Sequence, residues 1–369
     1  MGLRLSGAPP GRAVSRVWDV PVPETTRVRD VRVAAESACA MAGLDARSTA
    51  AAALVATELA TNLVKHASGG RIVINLTGPA ATLADPAVRV QITSLDHGPG
   101  IADVPAALRD GYTSVASSLG AGLGTCRRLA DDFDLHSRLG QGTVAVARLG
   151  PAAAREPSRR RRAPAGTGIR AGGINAPLAH AEYSGDAFTW VRSGPLTTLM
   201  LADGLGHGAK AAEASGAAVT ELHRRADLPP AEILRHLHSA LRHTRGAAVG
   251  IAQLDEDTQQ LSFAGVGNIG ARLQADGAWR PLVSHPGIVG AHFPATVPRH
   301  ASAWRPDSLL ILHSDGLPSR WIPPQDARLL GHDPAVTAAV VLRDGSSAAR
   351  PLRDDTSVAV LAPDPDGRP

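Results

Sequence analysis

The sequence predicts two domains of mixed α/β (α+β) class in tandem: one sheet with helices on a single face, then a two-sheet sandwich flanked by helices. Three observations predict it. A chain of 369 residues favours two domains, each large enough to bury its own core. The first half sets two long helical segments before a run of short strands, and the second half sets a pair of central helices among seven or more strands. Between them lies an Ala/Pro/Gly-rich stretch with four consecutive arginines, Arg159 to Arg162. The expected division is residues 1–150, a linker at 151–170, and residues 171–369.

In the first half, residues 1–25 are mostly polar apart from a strand-like piece, Val14–Val22. Val28–Ala42 reads as a helix, and Ser48–His66 as a second, Ala-rich one with Ser48 at its N-cap. Arg71–Leu76 and Val88–Ser94 alternate or run apolar as strands do, with Pro79 to Pro86 turning between them. Val104–Arg109 and Gly122–Phe133 read as short helices. Leu135–Ser137 and Thr143–Leu149 form a last hairpin around Gly140-Gln141-Gly142.

Composition makes residues 151–168 a linker, and its Arg run is either a solvated, self-repelling segment or a docking patch for an acidic partner. Beyond it, Thr189–Arg192, Thr197–Ala202, Ala247–Leu254, Gln260–Val266, Ala271–Leu273, Leu309–His313 and Ser357–Leu361 read as strands. Lys210–Arg225 and Pro230–Arg242 read as helices.

Charge narrows the function classes. The net charge is +4, distributed as +2 on residues 1–150, +5 on 151–170 and −3 on 171–369. The basic excess sits in the linker rather than on a folded face, which argues against nucleic acid as the partner. Cys39 and Cys126 lie outside any CxxC pattern, which argues against a disulfide scaffold or a zinc site. No apolar run is long enough to span a bilayer, and the N-terminus lacks the apolar core of a signal peptide, so the expected location is the cytoplasm without membrane contact. Arg almost without Lys (only Lys65 and Lys210), with abundant Ala, Gly and Pro, suggests a high-GC bacterial coding bias. Met1-Gly2 with Ser6, a myristoylation-like pattern, then reads as coincidence.

Four small motifs in the first half carry chemistry. Glu58 and Asn62 stand one helical turn apart on one face, where Glu can take a proton and Asn can offer an oxygen to Mg²⁺. Two solvated helix positions would look the same. Asp96-His97-Gly98-Pro99-Gly100 follows an apolar strand; the carboxylate can accept from an exocyclic amine and the glycines allow close approach, though a plain turn also fits. Gly120-Ala121-Gly122-Leu123-Gly124 opens a helix after the polar loop Thr113–Ser118, and exposed N–H groups at a helix start hold phosphates. Gly142-Thr143 adds a hydroxyl beside a tight turn.

In order and spacing together, these motifs resemble the GHKL (histidine kinase-like ATPase, Bergerat-fold) superfamily over residues 14–149. Asp96 through Asp110-Gly111-Tyr112, and Gly122-Leu123-Gly124 to Arg128-Leu129, resemble the anti-sigma-factor serine kinases of the RsbT type. The resemblance implies ATP with Mg²⁺. Asn62 would ligand the ion, Asp96 would contact adenine, and Gly98, Gly100 and Thr143 would shape the pocket. Gly120, Gly122, Leu123 and Gly124 would hold phosphates, and Glu58 would act as catalytic base toward a partner serine. Ser117-Ser118 stand where more glycine is expected in the phosphate lid.

The second half repeats one device, an acidic residue at the end of a predicted strand. It recurs at Gly185-Asp186, Asp203-Gly204-Leu205-Gly206-His207-Gly208, Ser314-Asp315-Gly316 and Asp354-Asp355. One Asp-Gly is usually a hairpin turn. Four of them suggest carboxylates converging on hard divalent cations. With Glu182, Ala264-Gly265-Val266-Gly267-Asn268 and Pro286-Gly287-Ile288, the set resembles the PPM metal-dependent phosphatases in their SpoIIE branch, RsbX type, over about residues 172–362. The resemblance implies an α-β-β-α sandwich and two Mn²⁺ or Mg²⁺ ions. Asp203 would bridge them beside the Gly204 carbonyl, Asp315 and Asp354 would complete the shell, and Asp186 would hold a water of that shell. Asp355 joins the metal set as an outer member, since relatives often have Asn there. His207 is a candidate general acid, or else a helix-start packing residue.

The whole-chain expectation is a bifunctional regulator of a bacterial partner-switching (stressosome or sigma-factor) pathway. It would be both serine kinase and phosphoserine/phosphothreonine phosphatase toward STAS-domain (anti-anti-sigma or stressosome) antagonists, with a sigma-factor regulator as a further candidate partner. The alternative is a phosphatase whose GHKL domain only binds nucleotide or partner as a docking module.

Overall fold

The computed structural model describes residues 16–78, 88–109, 122–151, 168–178, 181–346 and 351–364. Outside them lie Gly120 and Asp110 to Ser118, the Pro79–Pro86 turn, the Arg159–Arg162 run, the Met1-Gly2/Ser6 pattern and the start of the Val14–Val22 strand.

The N-terminal half is a five-stranded antiparallel sheet. Its strands are β1 (Val17–Val22), β2 (Gly70–Thr77), β3 (Arg89–Leu95), β4 (Asp132–Arg138) and β5 (Gly142–Leu149), in the order β1-β2-β3-β5-β4. Helices α1 (Val28–Met41), α2 (Ala46–Ala67) and α4 (Gly122–Leu129) share a buried cluster with this sheet, and the short α3 (Val104–Ala107) lies at its edge. In α2, Ala52, Val55, Ala56, Leu59, Ala60 and Leu63 recur at helical spacing and are buried. Glu58 and Asn62 lie off that stripe and are half-buried.

Two local readings are corrected. The N-cap of α2 is Asp45, whose Oδ1 accepts from Ser48 N at 2.8 Å, so Ser48 belongs to the first turn. The carboxylate outcompetes the hydroxyl because it also takes Ser48 Oγ, at 3.2 Å. Helix α4 ends at Leu129 rather than Phe133, because Asp132 and Phe133 already pair with Arg148 and Ala147 in the β4–β5 ladder.

The C-terminal half is two packed sheets. One, in order β13-β10-β9-β8-β7, contains β7 (Asp186–Ser193), β8 (Leu196–Gly204), β9 (Ala247–Asp255), β10 (Gln260–Val266) and β13 (His300–Ala303). The other, in order β12-β11-β14-β15-β6, contains β6 (Ile169–Ala176), β11 (Gly270–Ala275), β12 (Ala278–Leu282), β14 (Leu309–His313) and β15 (Thr356–Pro363). Leu199, Leu201, Phe263, Leu273, Leu310 and Leu361 fill the space between them. Helices α5 (Ala209–Arg225) and α6 (Pro230–Ala240) cover the first sheet. Helix α7 (Pro334–Gly345) packs on β6 and β15 of the second.

The sequence reading omits α7, β6, β12 and β13. It also places Ile169 and Arg170 in the linker, whereas both pair with β15. The second sandwich contributes more than its own fold. Helix α7 is buried along its length, and its apolar residues share one cluster with Val17, Val73, Leu95, Val144 and Val146 of the N-terminal sheet. The six layers therefore run helices, sheet, α7, sheet, sheet, helices. Side-chain amides bond the buried outer edge of β6: Asn75 Nδ2 donates to Asn175 O at 2.9 Å and Gln91 Nε2 to Gly173 O at 2.9 Å. Among the described residues no helix is long and apolar enough to cross a membrane.

Candidate active sites

The first site forms where β3 ends. Asp96 is 8% exposed, and its Oδ1 accepts from Gly98 N at 2.8 Å and Thr143 N at 3.0 Å. Burial raises its pKa, and the two N–H groups only partly offset that. The strand β5 enters directly above it. Gly142 has φ +91°, and a β-carbon there would overlap Asp96 O, so only glycine lets the strands close. Gly100, at φ +77°, meets Arg138 O in the same way. Gly98 lies against Ala67 at the end of α2. Ser137 Oγ links Thr143 Oγ1, at 2.9 Å, to Ile101 N, at 2.8 Å, and so ties the two sides of the pocket together.

The start of α4 lies against α2. A β-carbon on Gly122 would stand 3.1 Å from Glu58 Oε2 and 3.4 Å from Asn62 Oδ1. Gly124 is buried in the same turn and Leu123 is half-buried. Glu58, Asn62, Gly122 and the Asp96–Thr143 pair are therefore built onto neighbouring elements, as the sequence expects. Asn62 Nδ2 is buried without a hydrogen-bond partner among the described residues, a donor that an incoming phosphate oxygen would satisfy. The residues present fit a nucleotide. Cys126 beneath them is buried, its thiol pushed up to about 12 by burial first and then by the charge of Glu58. Cys39 is likewise buried and free.

The second site lies at one end of the paired sheets. Asp186 and Asp203 face each other across the β7–β8 ladder. Asp186 is wholly buried, and neither carboxylate oxygen has a hydrogen-bond partner among the described residues. Ser314 and Ser357 lie close enough to ease its charge, but their contacts fall short of hydrogen-bond geometry. Burial and then the Asp203 charge push its pKa well up. Asp203 is pushed up to about 7, by burial and then by Asp315, Asp354 and Asp355. Asp315 is raised by burial and then by Asp354. Carboxylates that raise one another's pKa so strongly are a site that a divalent cation would relieve. Among the described residues no three acidic, His or Cys side chains stand ready-closed around one point, so ligation would draw them inward.

Individual placements refine the expected roles. Gly204 N donates to Gly185 O at 3.0 Å, and a β-carbon at Gly204 would overlap Ala211 O, so glycine lets α5 seat against the end of β8. Asp355 already accepts from Leu178 N at 2.7 Å and Gly185 N at 2.6 Å. Its carboxylate pins the segment before β7, beside the aspartates of which it is expected to be an outer member. His207 is exposed in the turn before α5, near enough to Asp355 for its charge to be felt. The sequence reading gave no task to Asn268, whose Nδ2 donates to Asp315 Oδ2 at 2.6 Å and orients it. Its signal was the Gly267-Asn268 turn.

Comparisons with known proteins agree with this division of labour. The family described as "Histidine kinase-like ATPase domain" matches residues 22–149, and "Stage II sporulation protein E (SpoIIE)" matches residues 194–362. The chain is 37% identical over 87 residues to the serine/threonine-protein kinase RsbT of Bacillus subtilis, covering 24% of this chain and 61% of that protein, less than two thirds of its length. It is 27% identical over 135 residues to the phosphoserine phosphatase RsbX of the same organism, covering 36% of this chain and 67% of that protein. Similar solved structures include RsbX in complex with magnesium, with TM-score 0.45, 22% identity, and 53% of this chain covered against 95% of that one. The phosphatase domain and regulatory fragment of SpoIIE from Bacillus subtilis gives TM-score 0.47, 15% identity, and 74% against 79%. The chain is a fusion of a histidine kinase-like ATPase domain with a SpoIIE-type PPM phosphatase domain.

Proposed function

We propose that the chain regulates a partner-switching pathway in both directions. Residues 1–150 would be an ATP-dependent serine kinase and residues 171–369 a metal-dependent phosphoserine/phosphothreonine phosphatase, joined through 151–170. Both would act on STAS-domain antagonist proteins in the cytoplasm. The observation that carries the phosphatase reading is the wholly buried Asp186, its oxygens unpartnered among the described residues, directly across the ladder from Asp203. Divalent ions there would lower the pKa of a bound water and polarise the phosphoryl oxygens. Asp203, Asp315 and Asp354, with the Gly204 carbonyl, would hold them. Asn268 keeps Asp315 turned to its task, and Asp355 holds the Gly185 backbone in place. His207, exposed in the turn before α5, would protonate the departing serine oxygen.

In the kinase half, Asp96 would receive the adenine amine through the oxygen not taken by backbone. The start of α4 would offer its N–H groups to phosphate. Glu58 stands beside that start and would take the serine proton, and Asn62 beside it would serve Mg²⁺. Phosphoryl transfer needs positioning and charge neutralisation above all. Joining opposed activities in one chain raises the effective concentration of each on a shared target.

The test is transfer of labelled γ-phosphate from ATP to a captured STAS-domain protein in an Asp203→Asn background, with Glu58 intact or replaced by Ala. Label that depends on Glu58 is the expected result. No label, with ATP bound and partner captured, would instead establish a phosphatase with a docking domain.

A further inference from the structure

The nucleotide pocket and the aspartate centre belong to different halves of the chain, yet both rest on the same end of α7. The carbonyl oxygen of Arg343, near the C-terminus of α7, lies 3.0 Å from His97 Nε2, so an Nε2–H tautomer donates to it. His97 directly follows Asp96. The Arg343 side chain is 2% exposed; its Nε donates to Asp344 Oδ1 at 2.8 Å and its Nη1 has no partner among the described residues. Gly345, two positions on, lies against the metal loop: a β-carbon there would stand 2.9 Å from Leu317 Cδ2. Leu317 follows Asp315 by two residues.

The apolar packing runs the same way. Leu95, which precedes Asp96, and Leu317 belong to one buried cluster, with Val336, Ala339 and Val340 of α7. Each candidate site therefore has a functional carboxylate within two residues of a side chain locked into one shared core. Packed cores pass strain between discrete arrangements and do not deform smoothly. A ligand that shifts the Asp96–His97 turn loads the His97–Arg343 hydrogen bond, which lies two residues from the Gly345–Leu317 contact.

We propose that the C-terminal end of α7 couples the two sites, so that nucleotide bound over Asp96 changes the turnover of the aspartate centre. This rests on the ATP and phosphatase readings above and adds the control that opposed activities in one chain require. Where the coupling acts on binding it is reciprocal, so a ligand of the phosphatase site changes nucleotide affinity by the factor by which nucleotide changes that ligand's affinity.

The test uses the full chain at fixed free Mn²⁺, with an aryl phosphate as substrate and ADP titrated in, while ADP affinity is measured separately by calorimetry. Saturating ADP should raise or lower kcat/KM by about fivefold or more. Asp96→Asn should remove the response, which separates the pocket from competition by ADP at the metal centre. His97→Ala and Gly345→Ala should each keep hydrolysis while cutting the response to under about twofold, and either variant suffices if the other does not fold. Hydrolysis unchanged by ADP, with ADP demonstrably bound, would overturn the coupling alone. Absence of ADP binding would overturn the nucleotide reading and the coupling with it, and absence of Mn²⁺-dependent hydrolysis would overturn the phosphatase reading.

Discussion

Replacing Asp333 by Ala should cost the folded chain about 4 kcal/mol. Asp333 is the N-cap of α7, accepting from Ala335 N at 2.8 Å, and it takes both arms of Arg148, at 2.6 and 2.7 Å. Its own N–H donates to Asp134 Oδ2 at 2.6 Å. Burial pushes the Asp333 carboxyl up, and the Arg148 guanidinium more than reverses this, leaving it below the usual carboxylate range. Removing one partner of a buried pair costs about 3–5 kcal/mol, because the other charge stays buried. Arg148 is 11% exposed at its side chain and keeps Gln91 Oε1 at 2.9 Å, which places the loss near the lower end. The lost cap adds about 1 kcal/mol. Urea unfolding followed by far-UV circular dichroism measures the sum. The double variant Arg148→Met/Asp333→Ala should recover about half, since no stranded charge remains. A loss below about 1 kcal/mol, or a double variant as unstable as the two singles combined, would refute the reasoning.

The other predictions concern the metal centre, the nucleotide turn and the interface. Mn²⁺ at about 100 times its Kd should stabilise the chain by about 2.7 kcal/mol in calorimetry. Asp203→Asn should abolish that gain and aryl phosphate hydrolysis while leaving the metal-free chain no less stable, because mutual repulsion falls. Gly142→Ala should cost about 2 kcal/mol or more in urea unfolding and weaken ATP binding, since φ is +91° and the added carbon overlaps Asp96 O. Burial first, against a hydrogen bond to Asp326, depresses the pKa of His136. Below about pH 6.5 the unfolded chain therefore binds a proton that the folded chain refuses, so stability is full above that pH and falls as pH drops toward the folded value. The slope of unfolding midpoint between pH 7.5 and 5.5 should be shallower in His136→Gln, and an unchanged slope would sink this assignment.

The legible parts of the molecule were those with a local signature. Helix α2 shows a buried stripe at helical spacing, and β8 shows an apolar run closed by Asp203-Gly204. Helix α7 was invisible because Pro334 to Arg343 are buried on every side, and a helix without a polar face has no amphipathic period to read. Strands β12 and β13 are short edge strands whose pairing, rather than their composition, defines them. The N-cap of α2 was misplaced because Asp45 and Ser48 are both good caps, and only the backbone geometry shows which one accepts.

The sequence alone determined where the candidate sites lie. Glycines beside carboxylates at strand ends are local demands of backbone and charge, and they mark Asp96, Asp203 and Asp315 wherever the chain folds. Only the tertiary structure decided how the two chemistries stand to one another. It set α7 between two sheets, joined His97 to Arg343 and Gly345 to Leu317, turned Asn268 onto Asp315, and gave Asp355 to two backbone N–H groups. Those contacts join residues far apart in the chain, and burial in a shared core brings them together where no local pattern records them.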